Sequence, residues 1–395
     1  MNLFENIRVL SLEQATVLPY LTYRLAMDGM EIIRLEHPRY GDPNRFIGDN
    51  VLNEKRMNAY YLTINAGKKA LTINLADPEG QTLFRSLIKE LKIDIFATNQ
   101  LPRNYAKLGI DYETLKSIKP DIIWLGVTGF GPDSNEGAYD PILQARSGLM
   151  EVTGEADGPP MVMGIPLPDM GTSEHAYGLL MKALYQREVT GKGARIDLSM
   201  FESSLSWLTV PITMTASYGK TVSRRGNTHE FFSPVSVYET RDGFVYIAAG
   251  NDRQWQSIVS QEIFKSLDRP EYEKNEGRIR DVANLNRAIN AITRQHTTDE
   301  LIALFTSITV PISKINRIKD VISDPLVEKK LLHARDPVTG TEITLAPSPY
   351  MTPLLKENNR QVDFPPRFGE HNARIYGQLG YSEEALADLK DKGVI

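Results

Sequence analysis

The sequence predicts an α/β chain with a doubly wound parallel sheet, and three observations carry that expectation. Short apolar strands alternate with amphipathic helical stretches through the first half. Gly, Pro and Asp residues punctuate the joints between them. The chain also has the composition of a folding protein, with 41% of its 395 residues hydrophobic and 24% charged. A chain of 395 residues exceeds one core of ordinary size, so a large domain with a smaller companion is expected.

Taken in order, "IRVLSL" (7–12) reads as a strand, "LPYLTYRLAMDG" as a helix closed by Gly29, and "MEIIRLE" (30–36) as the next strand. "ALTINL" (70–75) leads into "DPEGQTLFRSLIKELKI", where Asp77 can cap, Pro78 suits the first helical turn, and Leu83, Leu87 and Leu91 share one face. "DIFATN" (94–99) is a further strand, followed by "DYETLKSIKP" and "DIIWLGVTGFG". The pattern changes after "FESSLSWLTVPITMTA". The stretch "RRGNTHEFFSPVSVYETRDGFVYIAAGND" (224–252) holds two strands joined at Asp242 and Gly243, with helical segments beyond. That is the signature of a smaller α+β domain. The tail ends in a helix and is expected to return to the first domain, giving a large domain from 1–205 and 330–395, a linker at 206–225 and a small domain at 226–329.

A formal charge of -5 with no Lys/Arg run gives no footprint for nucleic acid. The absence of cysteine removes disulfides, thiolate metal sites and cysteine nucleophiles together. "MNLFENIRVLSLEQATVLPY" has acidic residues among its apolar ones, unlike a signal peptide or a membrane anchor, so a cytoplasmic protein without membrane partners is expected. Several site motifs are also missing. The turn after "IRVLSL" reads "EQATVLP", without the glycines of a dinucleotide fingerprint, and "YGKT" (218–221) lacks the upstream glycine of a P-loop, where Met214 stands. The six histidines show no ligand spacing, so no metal is expected; His175 is a candidate base near Asp169 but more simply a packed histidine. No G-x-S-x-G elbow occurs.

Carboxylates remain. Asp169 lies in "PLPDMGTSEHAYG", and on position alone it is an ordinary turn or capping residue. Its surroundings also suit an anion: Pro166 and Pro168 stiffen the approach, and Gly171, Thr172 and Ser173 open a helix whose unpaired N–H groups would keep the carboxylate ionised. An ionised carboxylate can attack an activated acyl group, with small Gly171 admitting the donor and its amide supporting the oxyanion.

"AYDPILQARSGLMEVTGE" (138–155) and "PLPDMGTSEHAYGLLMKALYQREVTGKGARIDLSMFES" (166–203) closely resemble the family III CoA-transferases, the group of formyl-CoA transferase and carnitine CoA-transferase. "GNTHEFFSPVSVYETRDGFVYIAAGNDRQW", "VPISKINRIKDVISDPLV" and "PPRFGEHNARIYGQLGY" agree with it in order. The resemblance implies a Rossmann-like large domain built from both chain ends, a small domain, and an interlocked homodimer. It implies an enzyme that moves CoA from an acyl-CoA donor to a carboxylic acid acceptor through anhydride and thioester intermediates on Asp169. Coenzyme A would then be part of the substrate, with no permanently bound cofactor.

The resemblance also marks other residues. Tyr139 falls at an active-site tyrosine, with a packed core tyrosine as the alternative. Thr16 replaces a glutamine that holds acyl intermediates in formyl-CoA transferase, which points away from oxalate or formate. Arg39, Asn99, Arg103, Lys107 and Leu108 fall near positions that hold CoA. "SRRGNTHEFF" carries only Gly226 where formyl-CoA transferase has a glycine-rich lid; Arg224 and Arg225 there suit the free carboxylate of a dicarboxylic acid, or are a plain solvated pair. Two alternatives stand beside transfer. The related α-methylacyl-CoA racemases place a histidine before the equivalent of Asp140, where this chain has Tyr139, a poor base near neutral pH. A non-catalytic CoA-ester binding subunit would need no nucleophile at all.

Overall fold

The computed structural model describes residues 3–395. Strands β1 (Arg8–Leu12), β2 (Glu31–Glu36), β3 (Lys68–Thr72), β4 (Ile95–Thr98), β5 (Ile123–Thr128) and β6 (Ala194–Ser199) form one sheet in the order β3-β2-β1-β4-β5-β6. Every pairing in it is parallel. This is a doubly wound α/β sheet, and its strand order reverses between β1 and β4, where ligands enter such folds at the carboxyl ends of the strands.

The apolar runs read as strands because both faces of the sheet are covered. In β1, Val9 enters one core with Ile32, Ile95, Ile123 and Leu125, whereas Leu10 enters the other with Ile33, Leu71, Phe96 and Trp124. Helix Pro78–Glu90 starts as expected, with the Asp77 carboxylate accepting from the Glu79 N–H at 2.8 Å, and buries Leu83, Phe84, Leu87 and Ile88. Strand β6 has no such apolar run. Its Arg195 and Asp197 alternate with half-buried Ile196 and Leu198, as befits the sheet edge.

Two compact units divide the chain. The first takes the residues through Leu149, Val162–Gly219 and Lys329–Ile395, so both chain ends contribute to it. The second takes Met150–Met161 and Lys220–Glu328, with the antiparallel sheet β7 (Val235–Glu239), β8 (Phe244–Ala248) and β9 (Ile312–Lys314). Its turn at Asp242 is fixed by the Thr298 N–H and hydroxyl, at 2.8 and 2.9 Å from the carboxylate. Its core gathers Tyr238, Trp255, Phe264 and Phe305. The first unit also carries the antiparallel hairpin of β10 (Leu332–Arg335) and β11 (Glu342–Leu345).

Two stretches differ from the expected boundaries. Residues 206–225 are not a simple linker, since helix Thr209–Tyr218 lies in the first unit. Residues 150–161 leave that unit for the second. Among the described residues no helix is long and apolar enough to cross a membrane.

Candidate active site

The site forms where the strand order reverses. The loop after β1 meets the residue after β4: the Gln14 N–H donates to Asn99 Oδ1 at 3.2 Å, and Asn99 Nδ2 donates to the Gln14 carbonyl at 2.8 Å. Next to this pair, Ala15 has a φ of 63°, an uncommon backbone for a residue with a Cβ. The Asp42 carboxylate holds it there by accepting the Ala15 N–H at 3.1 Å, and the Asn44 amide donates to the Ala15 carbonyl.

Asp42 belongs to a buried charge network beneath the loop. Lys68 contacts Glu13 at 3.0 Å, Arg34 contacts Asp42 at 2.7 Å, and Arg45 contacts Glu36 at 2.7 Å, all with side chains shut off from solvent. Burial alone would push Glu13 up, but Lys68 and Arg34 outweigh it and hold Glu13 below its ordinary pKa. Burial prevails at Lys68, which falls to about 8. Paired in this way, six charges stay buried and fix the floor under residues 13–16.

Asp169 reaches the same end of the sheet on helix Leu167–Thr190. The Ser173 hydroxyl donates to the Val17 carbonyl at 2.5 Å, tying the start of this helix to the start of helix Val17–Met27. Asp169 is the third residue of its helix and not a residue before it, so the first turn differs from the expected row of free N–H groups. The Leu167 N–H donates to Ile165 O at 2.8 Å, Pro168 has none, the Asp169 N–H donates to Asp140 Oδ2 at 3.2 Å, and the Met170 N–H donates to Pro166 O at 2.9 Å. The amide of Gly171, one full turn in, points back along the helix.

The environment of the Asp169 carboxylate also corrects the expectation that it is held ionised. Burial first, and the neighbouring Asp140 carboxylate second, raise it to about 7. Among the described residues no hydrogen-bond donor offsets this. Asp140 is itself raised by burial, opposed in part by the bonds from Gln144 and the Asp169 N–H. Gln144 is fully buried; its Nε2 donates to Asp140 Oδ1 at 2.6 Å and its Oε1 accepts the Met163 N–H at 2.8 Å.

Gly171 also has a packing reason to be small: a Cβ there would stand 2.8 Å from Trp207 Nε1, so the glycine makes room for an indole of the same unit. His175 stacks on that indole with ring centroids 5.0 Å apart, and its Nδ1 shares a 2.7 Å hydrogen bond with Ser203 Oγ. His175 is thus a packed histidine.

Of the other expected residues, Tyr139 is 78% exposed and occupies the N-cap position of helix Asp140–Ser147, which removes the packed-core alternative. The Thr16 hydroxyl lies 2.9 Å from that of Tyr60. Arg39 lines a cleft of 930 Å³ past the carboxyl ends of β2 and β3, with His37, Asn74, Phe368, Asn372 and Lys390. Asn99 is occupied by Gln14, Arg103 and Lys107 are exposed, and Leu108 packs against the second core cluster; none of the four lines that cleft.

Arg224 and Arg225 are not a free pair. Arg224 bonds Glu151 at 2.9 Å and the Gly158 carbonyl at 2.7 Å, and Arg225 faces Glu230 at 3.4 Å, all within the second unit. Gly226, with φ 63°, donates to the Gly154 carbonyl at 2.8 Å, and a Cβ there would meet Glu155 at 2.6 Å. These three residues build the local chain path. Asp140, Gln144 and Trp207 are the site residues that sequence reasoning missed. The i, i+4 spacing of Asp140 and Gln144, and the place of Asp140 after Tyr139 in the family motif, were the available signals for that pair; nothing in the sequence signals Trp207. No group of three or more His, Asp or Glu among the described residues is arranged to hold a metal ion.

A doubly wound sheet thus carries, near its switch point, a carboxylate raised to about 7 beside a second carboxylate, which marks this end of the sheet as the candidate site of a ligand-binding α/β protein. The profile of CoA-transferase family III matches residues 4–372, and the chain belongs to that family. It is 32% identical to the succinyl-CoA:glutarate CoA-transferase of Mus musculus, over 99% of this chain and 90% of that protein. It is 30% identical to the succinate–glutarate CoA-transferase of Agrobacterium fabrum, over 94% of each chain. A crystal structure of a CAIB/BAIF family protein from Brucella suis matches with a TM-score of 0.82 and 28% identity, over 94% of this chain and 98% of that one. The protein is a CoA-transferase, moving CoA from an acyl-CoA thioester to a carboxylic acid.

Proposed function

We propose that Asp169 is the nucleophile and that the acids exchanged are short dicarboxylates of the succinate and glutarate class. The observation that carries the first part is the Asp169 carboxylate itself: a raised carboxylate is a stronger nucleophile than an ordinary one, and no hydrogen bond must be broken before it attacks. Asp169 attacks the donor thioester carbonyl, the C–S bond breaks, and CoA thiolate leaves an acyl-aspartyl anhydride. The thiolate then attacks the Asp169 carbonyl, releasing the donor acid and leaving an aspartyl-CoA thioester. The acceptor carboxylate displaces CoA through a second anhydride, and the thiolate captures the new acyl group. Each step exchanges one acyl bond for another, so atoms and charge balance without a further reactant.

The second part is supported by the relatives, several of which are named for succinyl-CoA with glutarate or mesaconate. The CoA nucleotide fits the 930 Å³ cleft, where Arg39 and Lys390 supply charge for phosphates and His37 and Phe368 supply ring faces. Tyr139, adjacent to Asp140, is assigned to the acyl end.

The protein is also assigned as a homodimer, interlocked as the resemblance implies. In helix Thr209–Tyr218 no residue is buried, yet Val210, Ile212 and Tyr218 are apolar and 52%, 45% and 67% exposed. Such a helix needs a cover. Light scattering that finds a monomer would remove that assignment. The activity test incubates succinyl-CoA with glutarate, formate or oxalate and follows the acyl-CoA products by mass spectrometry. Glutaryl-CoA formation that Asp169→Ala abolishes is expected; unaltered exchange by that variant would overturn the role of Asp169.

A further inference from the structure

Asp140 lies against the attacking residue but has no part in the steps above. Its Oδ2 accepts the Asp169 N–H at 3.2 Å, and its Oδ1 accepts from Gln144 Nε2 at 2.6 Å. Gln144, fully buried, also accepts the Met163 N–H at 2.8 Å. Helix Asp140–Ser147 thereby grips the proline-stiffened segment 163–169 at both ends. An uncharged side chain with an accepting oxygen could make the first of these bonds. The chain instead places a second carboxylate, 8% exposed, beside the first.

We propose that Asp140 is a positioning residue whose negative charge favours the acylated forms of Asp169 over the free carboxylate. The inference rests on the reading of Asp169 as nucleophile. Forming the enzyme thioester converts Asp169 carboxylate and acyl-CoA into neutral aspartyl-CoA and a free acid anion. The charge beside Asp140 leaves Asp169 and departs with the acid. Repulsion between the two carboxylates is therefore present before the exchange and absent after it, so it pushes the exchange forward. The direction agrees with the upward displacement of Asp169, for which Asp140 is the second cause after burial. Gln144 holds Asp140 in place by a bond that favours its ionised form.

The test separates charge from scaffold with a matched exchange, Asp140→Asn together with Gln144→Glu. In that double variant the amide oxygen introduced at position 140 accepts the Asp169 N–H, and the amide nitrogen beside it donates to the carboxylate introduced at position 144. That carboxylate also accepts the Met163 N–H. Net charge and bond count are retained, while the negative charge moves one hydrogen bond farther from Asp169. Wild type and variant are equilibrated near pH 8 with fixed ratios of succinyl-CoA to succinate, and intact-mass spectrometry reads the fraction of enzyme carrying CoA. The expected result is a shift toward free enzyme by about three- to tenfold in the exchange constant, with the unfolding temperature close to wild type. Asp140→Asn alone is the second variant, with the same expected direction, should the double exchange fold poorly. An exchange constant equal to wild type in a folded variant would overturn the inference and leave Asp140 a scaffold residue. Absence of any CoA adduct on the wild-type enzyme would instead overturn the reading of Asp169.

Discussion

Asp169→Asn should make the protein more stable and inactive together. The folded protein raises this carboxyl from 3.8 to about 7, so it holds the proton more tightly than the unfolded chain does. The sign follows for a raised acid: ionising Asp169 costs the folded state nothing below about pH 4, progressively more between about pH 4 and 7, and the full amount above. A displacement from 3.8 to about 7 corresponds to roughly 4 kcal/mol at pH 8 and roughly 1.7 kcal/mol at pH 5. Asparagine keeps the shape without the charge, and the main-chain bond from residue 169 to Asp140 remains. Thermal unfolding should therefore show the Asn variant melting about 5–8 °C higher than wild type near pH 8, with the gain shrinking toward pH 5. A variant that melts at or below wild type at pH 8, or by the same margin at both pH values, would refute the electrostatic account of the site.

Three further outcomes follow from neighbouring contacts. Gly171→Ala sets a Cβ 2.8 Å from Trp207 Nε1, so the indole should leave its stack on His175, shifting tryptophan emission at a stability cost of about 1–3 kcal/mol in denaturant melts; unchanged emission would contradict the packing. Lys68→Met removes the cation 3.0 Å from the buried Glu13 carboxylate, leaving it Arg34 at 3.7 Å and the Ser11 and Thr22 hydroxyls, and should cost about 2–4 kcal/mol by chemical denaturation, whereas a loss below about 1 kcal/mol would show the ion pair dispensable. Arg39→Ala should raise the KM for acyl-CoA by about tenfold with kcat little changed in steady-state assays; an unaltered KM would place the nucleotide elsewhere than the cleft.

The central strands were legible because sheets covered on both faces demand apolar runs, and Val9, Leu10, Ile32 and Ile33 supply them. Strand β6 was not, because an edge strand with Arg195 and Asp197 carries no such run. At the site, the surroundings of Asp169 suggested a home for an anion, and the family resemblance identified its chemistry. Its electrostatics were hidden: the Asp140 carboxylate 29 residues earlier and the spent N–H groups of the first turn decide them, and both depend on tertiary hydrogen bonds. The packing role of Gly171 was hidden because nothing in "PDMGTSEH" announces Trp207 beyond it. Arg224 looked solvated because its partner Glu151 lies 73 residues away.

The most direct measurement of the central claim is hydroxylamine trapping during turnover with succinyl-CoA, followed by peptide mass spectrometry. Asp169 is predicted to be the residue converted to a hydroxamate, dependent on acyl-CoA and absent from Asp169→Asn. Trapping at another residue, or turnover with no adduct at Asp169, would contradict the account.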